Sequence, residues 1–251
     1  MYDTAVQNHL RAAIVRRSDF ELVGAFVAGF DPHSANPFRN WATPAGDGPA
    51  GKDDVAALVA AFERRARTPR LEYVPSVSPG LAATLADAGF REHARTTVLV
   101  CDRDSLVPHP APDGFAVDLV TDDARLRAVA EVQHAAYGEP EPPGPADTDR
   151  LRLTTRTGGL VALAVERDAG QPVAAGLVTA PIDGLAELAA VATAAAYRRR
   201  GVARAISALL TAAALDAGAH LVYLEPEGPA EQRLYEAVGF RAVGEKLAMI
   251  R

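Results

Sequence analysis

The chain matches itself at a fixed offset. Moving it by 150 residues lays positions 10–100 on 160–250 without a gap, and sixteen of the ninety-one pairs are identical. So alanine-rich a sequence gives part of that by chance, but the identities gather at strand ends and turns. WAT (41–43) falls on VAT (191–193), LEYV (71–74) on LVYL (221–224), and GFR (89–91) on GFR (239–241). LRAAIVRRSDFELVGAF (10–26) falls on LVALAVERDAGQPVAAG (160–176) with a similar apolar pattern. A repeat of this length predicts two related units in tandem. A length of 251 residues allows either two small domains or one large one.

Periodicity fills in the elements. Residues 10–17 alternate and read as a strand, with 20–30 as its hairpin partner. Residues 31–51 are rich in Pro, Gly and Asn around a strand remnant at 41–43. Helices are expected over 53–67 and 79–89, and strands over 71–75 and 95–101. The proline-rich run DRDSLVPHPAPDG reads as the boundary, giving a first domain at 1–104, a linker at 105–113 and a second domain at 114–251. The second half reads as strand 114–120, helix 122–138, an irregular proline-rich stretch 138–147, helix 147–157, strands 160–166, 172–180 and 185–192, helix 202–217, strand 220–225, helix 230–238 and strand 241–250. The fold class is therefore α/β with a mixed sheet. Position 1 corresponds to 151, so the first strand and first two helices of the second half have no expected counterpart in the first.

The segment VATAAAYRRRGVAR (191–204) carries the chemistry. A strand, a short loop and a helix opening on Arg198, Arg199, Arg200, Gly201, Val202 and Ala203 form a device for holding phosphates. Helix starts carry unpaired N–H groups and the positive end of the dipole. Gly201 and Ala203 let an anion approach the backbone, and the arginines can pair with it. No Gly-Lys-Ser/Thr follows a glycine-rich loop, and no GxGxxG is present.

The spacing Arg198-x-x-Gly201-x-Ala203 resembles the pyrophosphate loop of the GNAT family, the Gcn5-related N-acetyltransferases, written (Gln/Arg)-x-x-Gly-x-(Gly/Ala). The later LYEAVGF (234–240) and the element order of 114–251 are similar to the family as well. The resemblance implies a complete GNAT fold in the second half, with strands splayed beside the loop helix to admit the pantetheine arm. It implies a truncated, degenerate copy in the first half. There Gly48, Pro49, Ala50 and Asp53 stand where the second half has Arg198, Arg199, Arg200 and Ala203, and an aspartate at that place repels a pyrophosphate.

The resemblance also implies roles. Main-chain groups of Val191 and Thr193 would bind pantetheine and the thioester carbonyl, and Arg198, Arg199, Arg200, Gly201, Val202 and Ala203 the pyrophosphate of acetyl-CoA. Tyr235 would act as general acid toward the thiolate; the first half has Leu85 there. Glu187, six residues before Thr193, would act as general base, directly or with water as the base in its place; the first half has Pro37. Gly228 departs from the pattern, since members often carry a cofactor-binding Asn seven residues before the tyrosine. Eight acids between 115 and 150 (Asp118, Asp122, Asp123, Glu131, Glu139, Glu141, Asp147, Asp149) read either as an acidic rim that attracts a cationic amine or as a solvated surface.

The implied activity is acetyl transfer from acetyl-CoA to a primary amine of a small molecule or peptide by direct attack. The alternative is a non-catalytic acyl-CoA-binding or regulatory module. Other classes are disfavoured. A net charge of −6 argues against a nucleic-acid partner. Histidines 9, 33, 93, 109, 134 and 220 lack ligand spacing, so no metal is expected. No run of about 18 apolar residues exists to span a membrane. A single cysteine, Cys101, and no apolar leader point to a reducing, cytoplasmic setting. Monomer and homodimer are both compatible.

Overall fold

A computed structural model describes residues 2–139 and 141–251. It divides into two compact units, one formed by Met1–Val98 with Val243–Arg251 and the other by Leu99–Ala242. The expected linker at 105–113 is therefore inside the second unit. There the Val107 N–H donates to Val238 O at 2.9 Å, and a His109 ring nitrogen lies 2.9 Å from Ala237 O.

The first unit opens with α1 (Tyr2–Val15) and the hairpin β1 (Phe20–Val23)–β2 (Phe26–Gly29). It continues through β3 (Trp41–Pro44), α2 (Lys52–Arg64), β4 (Arg70–Tyr73) and α3 (Leu81–Asp87) into β5 (Arg91–Cys101). The expected strand over 10–17 is thus the end of a helix. Val6, Leu10 and Ile14 are buried at a spacing of four, and a window of eight residues is too short to separate that stripe from alternation. The first half accordingly has no strand and no second helix before β1 among its described residues, but it begins with one helix where none was expected. Gln7 secures it: its Nε2 donates to Thr43 Oγ1 at 2.8 Å, and its Oε1 accepts from the Val74 N–H at 2.9 Å.

The second unit runs β6 (Phe115–Leu119), α4 (Asp123–Tyr137), α5 (Pro145–Arg156), β7 (Leu160–Glu166), β8 (Pro172–Val178), β9 (Leu185–Thr193), α6 (Val202–Asp216), β10 (Leu221–Leu224) and α7 (Pro229–Val238). The helix α4 is capped by Asp122, which accepts from the Arg125 N–H, and closes at Gly138. The stretch expected to be irregular through 147 ends earlier. Pro145 opens α5, since the first helical position needs no N–H donor. Pro140 lies outside the described residues.

The final strand, β11 (Arg241–Ile250), belongs mostly to the first unit, where Leu247–Ile250 pair antiparallel with Tyr73–Arg70 of β4. Leu247 and Met249 sit in a core with Phe26, Leu58, Phe62 and Leu71. In the second unit the place beside β10 is taken by the end of β5, as Leu99, Val100 and Cys101 pair with Leu224, Tyr223 and Val222. Leu99 and Cys101 are buried with Leu188, Ile206 and Val222. The two final strands of the repeat are thus exchanged. The first unit has strand order β1-β2-β3-β4-β11-β5 and the second β5-β10-β9-β8-β7-β6. At an offset of 150, α2, β4, α3 and β5 overlay α6, β10, α7 and β11 to within two residues at nearly every boundary.

The exchanged β11 is tied by charge as well as by its ladder. Glu72 is buried between Lys246 Nζ at 2.6 Å and Arg70 at 2.8 Å. Burial alone would raise its carboxyl, but the charges and hydrogen bonds of Lys246 and Arg70 outweigh it and hold the value at about 2, against an ordinary 4.5. This stability is present above the ordinary carboxylate range and is lost as pH falls from about 4.5 to about 2. It amounts to about 3 kcal/mol on the linkage relation. Glu72→Gln should therefore cost roughly 3–5 kcal/mol at neutral pH, because the buried Arg70 and the partly buried Lys246 lose their partner. It should also flatten the acid limb, as denaturant unfolding from pH 7 down to pH 2 will test.

Candidate active site

The parallel pair β9–β10 has three rungs, Leu185–Leu221, Ala186–Val222 and Glu187–Tyr223, and then stops. From Leu188 onward β9 runs alone on that side. On its other side the β8–β9 register slips by one between Ala175 and Leu177, so Ala190 and Val191 both fall opposite Gly176 without a Cα partner. Ala190 takes a left-handed φ of 52°, and its carbonyl accepts from Gln133 Nε2 of α4 at 2.9 Å. The bulge is thereby fixed. Gly176 makes room for it, because a Cβ there would lie 3.0 Å from Ile206 Cγ2 and 3.2 Å from Val191 Cγ2.

Beyond Thr193 the chain forms a 3-10 turn, Ala195–Tyr197, anchored by the Tyr197 hydroxyl, which donates to Glu166 Oε2 at 2.9 Å. Arg200 stacks over the Tyr197 ring at 5.0 Å. Arg199, with φ 63°, and Gly201, with φ 85°, then swing the chain into α6. No side chain caps that helix, so the first-turn amides of Val202, Ala203 and Arg204 are left to an external acceptor. Arg198 turns back, its Nε donating to Thr193 O at 3.3 Å. A small-residue helix start, free amides and exposed guanidinium groups are a donor set suited to a pyrophosphate.

These parts wall a groove of about 690 Å³. Val191, Thr193, Arg198, Arg199, Gly201, Val202 and Ala203 line it together with Tyr235. Arg200 and Glu187 do not. Glu187 is half-buried on β9, and its N–H donates to Thr179 Oγ1 at 2.9 Å. The carboxylates in the wall come instead from Glu225 and Glu227, between β10 and α7, and from Glu231 in the first turn of α7. Four of the eight acids expected to form a rim are paired with arginines, Asp122 with Arg125, Asp123 and Asp149 with Arg152, and Asp147 with Arg150. From α4, Ala136 and Tyr137 reach the groove. No periodic signal marks Tyr137 or Glu225, because one ends a helix and the other follows a strand. Among the described residues no group of His, Cys, Asp or Glu could hold a metal ion.

Two phenols share this space. Burial raises Tyr235 far above its ordinary value, with Tyr137, Glu227 and Glu231 adding to the shift. Burial and then Glu227 push Tyr137 up to about 12. Both hydroxyls therefore hold their protons at neutral pH. The Tyr235 ring packs edge-on against Phe240, with centroids 6.0 Å apart.

Residues 126–240 match the model of the Acetyltransferase (GNAT) family, which supports that family for the second unit. No curated protein matches the chain by sequence. Among solved structures, a GCN5-related N-acetyltransferase from Kribbella flavida superposes with TM-score 0.80 at 24% identity, over 99% of this chain and 95% of its own. A GCN5-related N-acetyltransferase from Sphaerobacter thermophilus gives 0.67 at 18% identity, over 90% of this chain and 76% of its own. A tandem GNAT protein from the clavulanic acid biosynthesis pathway gives 0.64 at 18% identity, over 94% and 80%. At these identities the likeness shows the fold.

The room left by Gly176 is testable by stability alone. Gly176→Ala should destabilise the chain by about 1–3 kcal/mol through overpacking against Ile206, Leu210 and Val191. Thermal unfolding measures the loss. An unchanged midpoint would mean that the bulge does not depend on the missing side chain.

Proposed function

We propose that the chain is an acetyl-CoA-dependent N-acetyltransferase whose active site is this groove, the premise being the match of its second unit to the GNAT family. The observation that carries the reading is the uncapped start of α6, with Arg198 and Arg199 beside it, opening into a groove that also holds Tyr235. In this reading the amides of Val202, Ala203 and Arg204 and the arginines hold the pyrophosphate. Main-chain groups of Val191 and Thr193 face the arm that enters where β9 and β10 part.

Bound acetyl-CoA supplies a thioester carbonyl and a thiolate leaving group. The chain's own residues do the rest. The bulge at Ala190–Val191 aims backbone groups at the carbonyl, where charge develops in the transition state. Tyr235 keeps its proton on Oη at neutral pH and is poised to give it to the departing sulfur. The attacking amine must lose a proton. Glu187 stands outside the groove wall, so it would act through an intervening water, while Glu225 is one of three carboxylates in the wall itself. The rival reading, a non-catalytic acyl-CoA-binding module, draws its support from that position of Glu187.

We further propose that the first unit is a degenerate copy without cofactor binding. Its α2 also starts after a glycine, but Gly51 is extended where Gly201 is left-handed; the Gly51 N–H donates to Asp54 Oδ2 at 2.8 Å, and the Asp54 Oδ1 accepts from the Ala25 N–H at 3.1 Å. The Asp54 carboxylate thus lies beside that helix start, and Asp53 adds a second negative charge. Calorimetry with acetyl-CoA should give one site per chain, and Gly201→Glu should abolish it by filling the cradle with a like charge. Two sites, or unchanged affinity in that variant, would refute the assignment of the loop.

Tyr235→Phe keeps the ring against Phe240 and removes only the hydroxyl. It should lower kcat by about 10²–10⁴-fold when thiolate protonation limits the rate, while leaving acetyl-CoA affinity unchanged. Thiol release measured on a broad amine panel checks this. Full activity in the variant would return Tyr235 to a packing role, with water protonating the sulfur.

A further inference from the structure

Gln133 is a polar residue beside the packed side of α4. Val129, Ala130 and Val132 of the same helix are buried in one core with Val161, Leu163 and Ala175 of β7 and β8. A carboxamide next to such a face has few places to go. This one goes to the Ala190 carbonyl, to which Gln133 Nε2 donates at 2.9 Å. That carbonyl sits at the register slip of β9, where Ala190 holds a left-handed φ of 52°. At an ordinary bulge, satisfying a stray carbonyl would be role enough. This bulge differs in what the same peptide unit carries on its other side.

The Ala190 carbonyl and the Val191 N–H belong to one amide. No peptide bond among the described residues is cis, so that N–H points opposite to its C=O. A donor fixed on the oxygen therefore fixes the direction of the N–H as well. It also draws electron density toward the oxygen, which makes the N–H a stronger donor. Hydrogen bonds chained in this way strengthen one another by about 10–30% per bond. Val191 has no Cα partner on β8, and it lines the groove. We propose that Gln133 is a positioning residue for acyl transfer: it orients and polarises the Val191 N–H, which meets the thioester oxygen as charge develops there. The inference rests on the acyl-transfer reading of this groove and adds to it a side chain from α4, away from the loop and α7. The backbone of Ala190 fits the same role. A strained φ persists where its surroundings hold it, and the Gln133 hydrogen bond is such a hold.

The test removes the donor and keeps the shape. Gln133→Met preserves side-chain length and helix propensity and deletes the N–H groups. In the free chain, amide NMR should show the Val191 proton moving upfield and exchanging faster, while the amides of α6 and β10 keep their positions. The second readout is the carbonyl stretch of bound acetyl-CoA labelled with 13C at the carbonyl carbon. It should lie below its value in water for the unaltered chain and return toward that value in the variant. CoA, which has no thioester, should bind both chains within about twofold. On whichever amine turns over, kcat should fall about 10- to 100-fold with the KM for acetyl-CoA nearly unchanged, short of the 10²–10³ lost when such a donor is deleted outright. A merely structural glutamine would lower the thermal midpoint and leave the carbonyl stretch where it was. If Gln133→Met alone loses the native amide pattern, adding Ala190→Gly lets the left-handed backbone stand unaided, and the same readouts decide. An unmoved Val191 amide, an unmoved carbonyl stretch or an undiminished kcat overturns the proposal. Failure of CoA and acetyl-CoA to bind the unaltered chain instead removes the acyl-transfer reading, and the role of Gln133 with it. The Val191 amide, read without any cofactor, keeps the two failures apart.

Discussion

Past Glu187 and Tyr223 the parallel strands β9 and β10 have no further rungs, and the site grows out of that separation. Two strands that stay paired leave no space between them, whereas two that part expose backbone groups with no partner. The second unit fills part of the gap from α4, where Gln133 takes the Ala190 carbonyl, and leaves the rest as a groove. The register slip at Gly176 works in the same direction, turning Val191 out of its ladder. A bulge costs ladder hydrogen bonds and persists when its surroundings over-determine it. Here the glycine, the helix behind it and the glutamine in front do so.

The loop that follows is strained in a second way. Arg199 holds a left-handed φ that a side chain disfavours, and the turn is tethered by Tyr197 to Glu166 on β7. The result is a helix start offered without a cap. In α2, by contrast, Asp54 accepts from the Gly51 N–H and the Ala25 N–H together, so a carboxylate of the chain itself lies beside that helix start. The same strand–loop–helix order thus opens beside an arginine in one unit and beside a carboxylate in the other, Arg204 standing where Asp54 stands at an offset of 150.

Most of the element order was legible because long amphipathic stripes, capping residues and glycine stops are local signals. The helices at 202–216 and 229–238 and the strand at 241–250 follow directly from periodicity. What sequence could not supply was partnership. REHARTTVLVC and RAVGEKLAMI both follow Gly-Phe, both alternate, and both end in apolar residues, so either strand fits beside either β4 or β10. Their exchange is decided by longer-range terms such as Glu72 with Lys246. The site divides in the same way. The loop residues and Tyr235 were visible because they are spaced by local geometry, and all of them but Arg200 line one groove. Glu187 was chosen by position along a strand, yet which wall a strand residue faces depends on the layers packed against it. Tyr137 and Glu225 enter from the ends of elements, where no period marks them.

Because β4 pairs with a strand 174 residues further along at Lys246, the order of synthesis differs from the order of assembly. A growing chain has released α1 to α3 and the first four strands long before β11 exists, and until then one edge of β4 is an unpaired row of N–H and C=O groups. At ordinary translation speeds that interval is on the order of ten seconds or more. The carboxyl group of Glu72 waits through it without its lysine. The first unit is therefore the first to be made and among the last to close, and the nascent chain must be kept from pairing that open edge with the wrong strand.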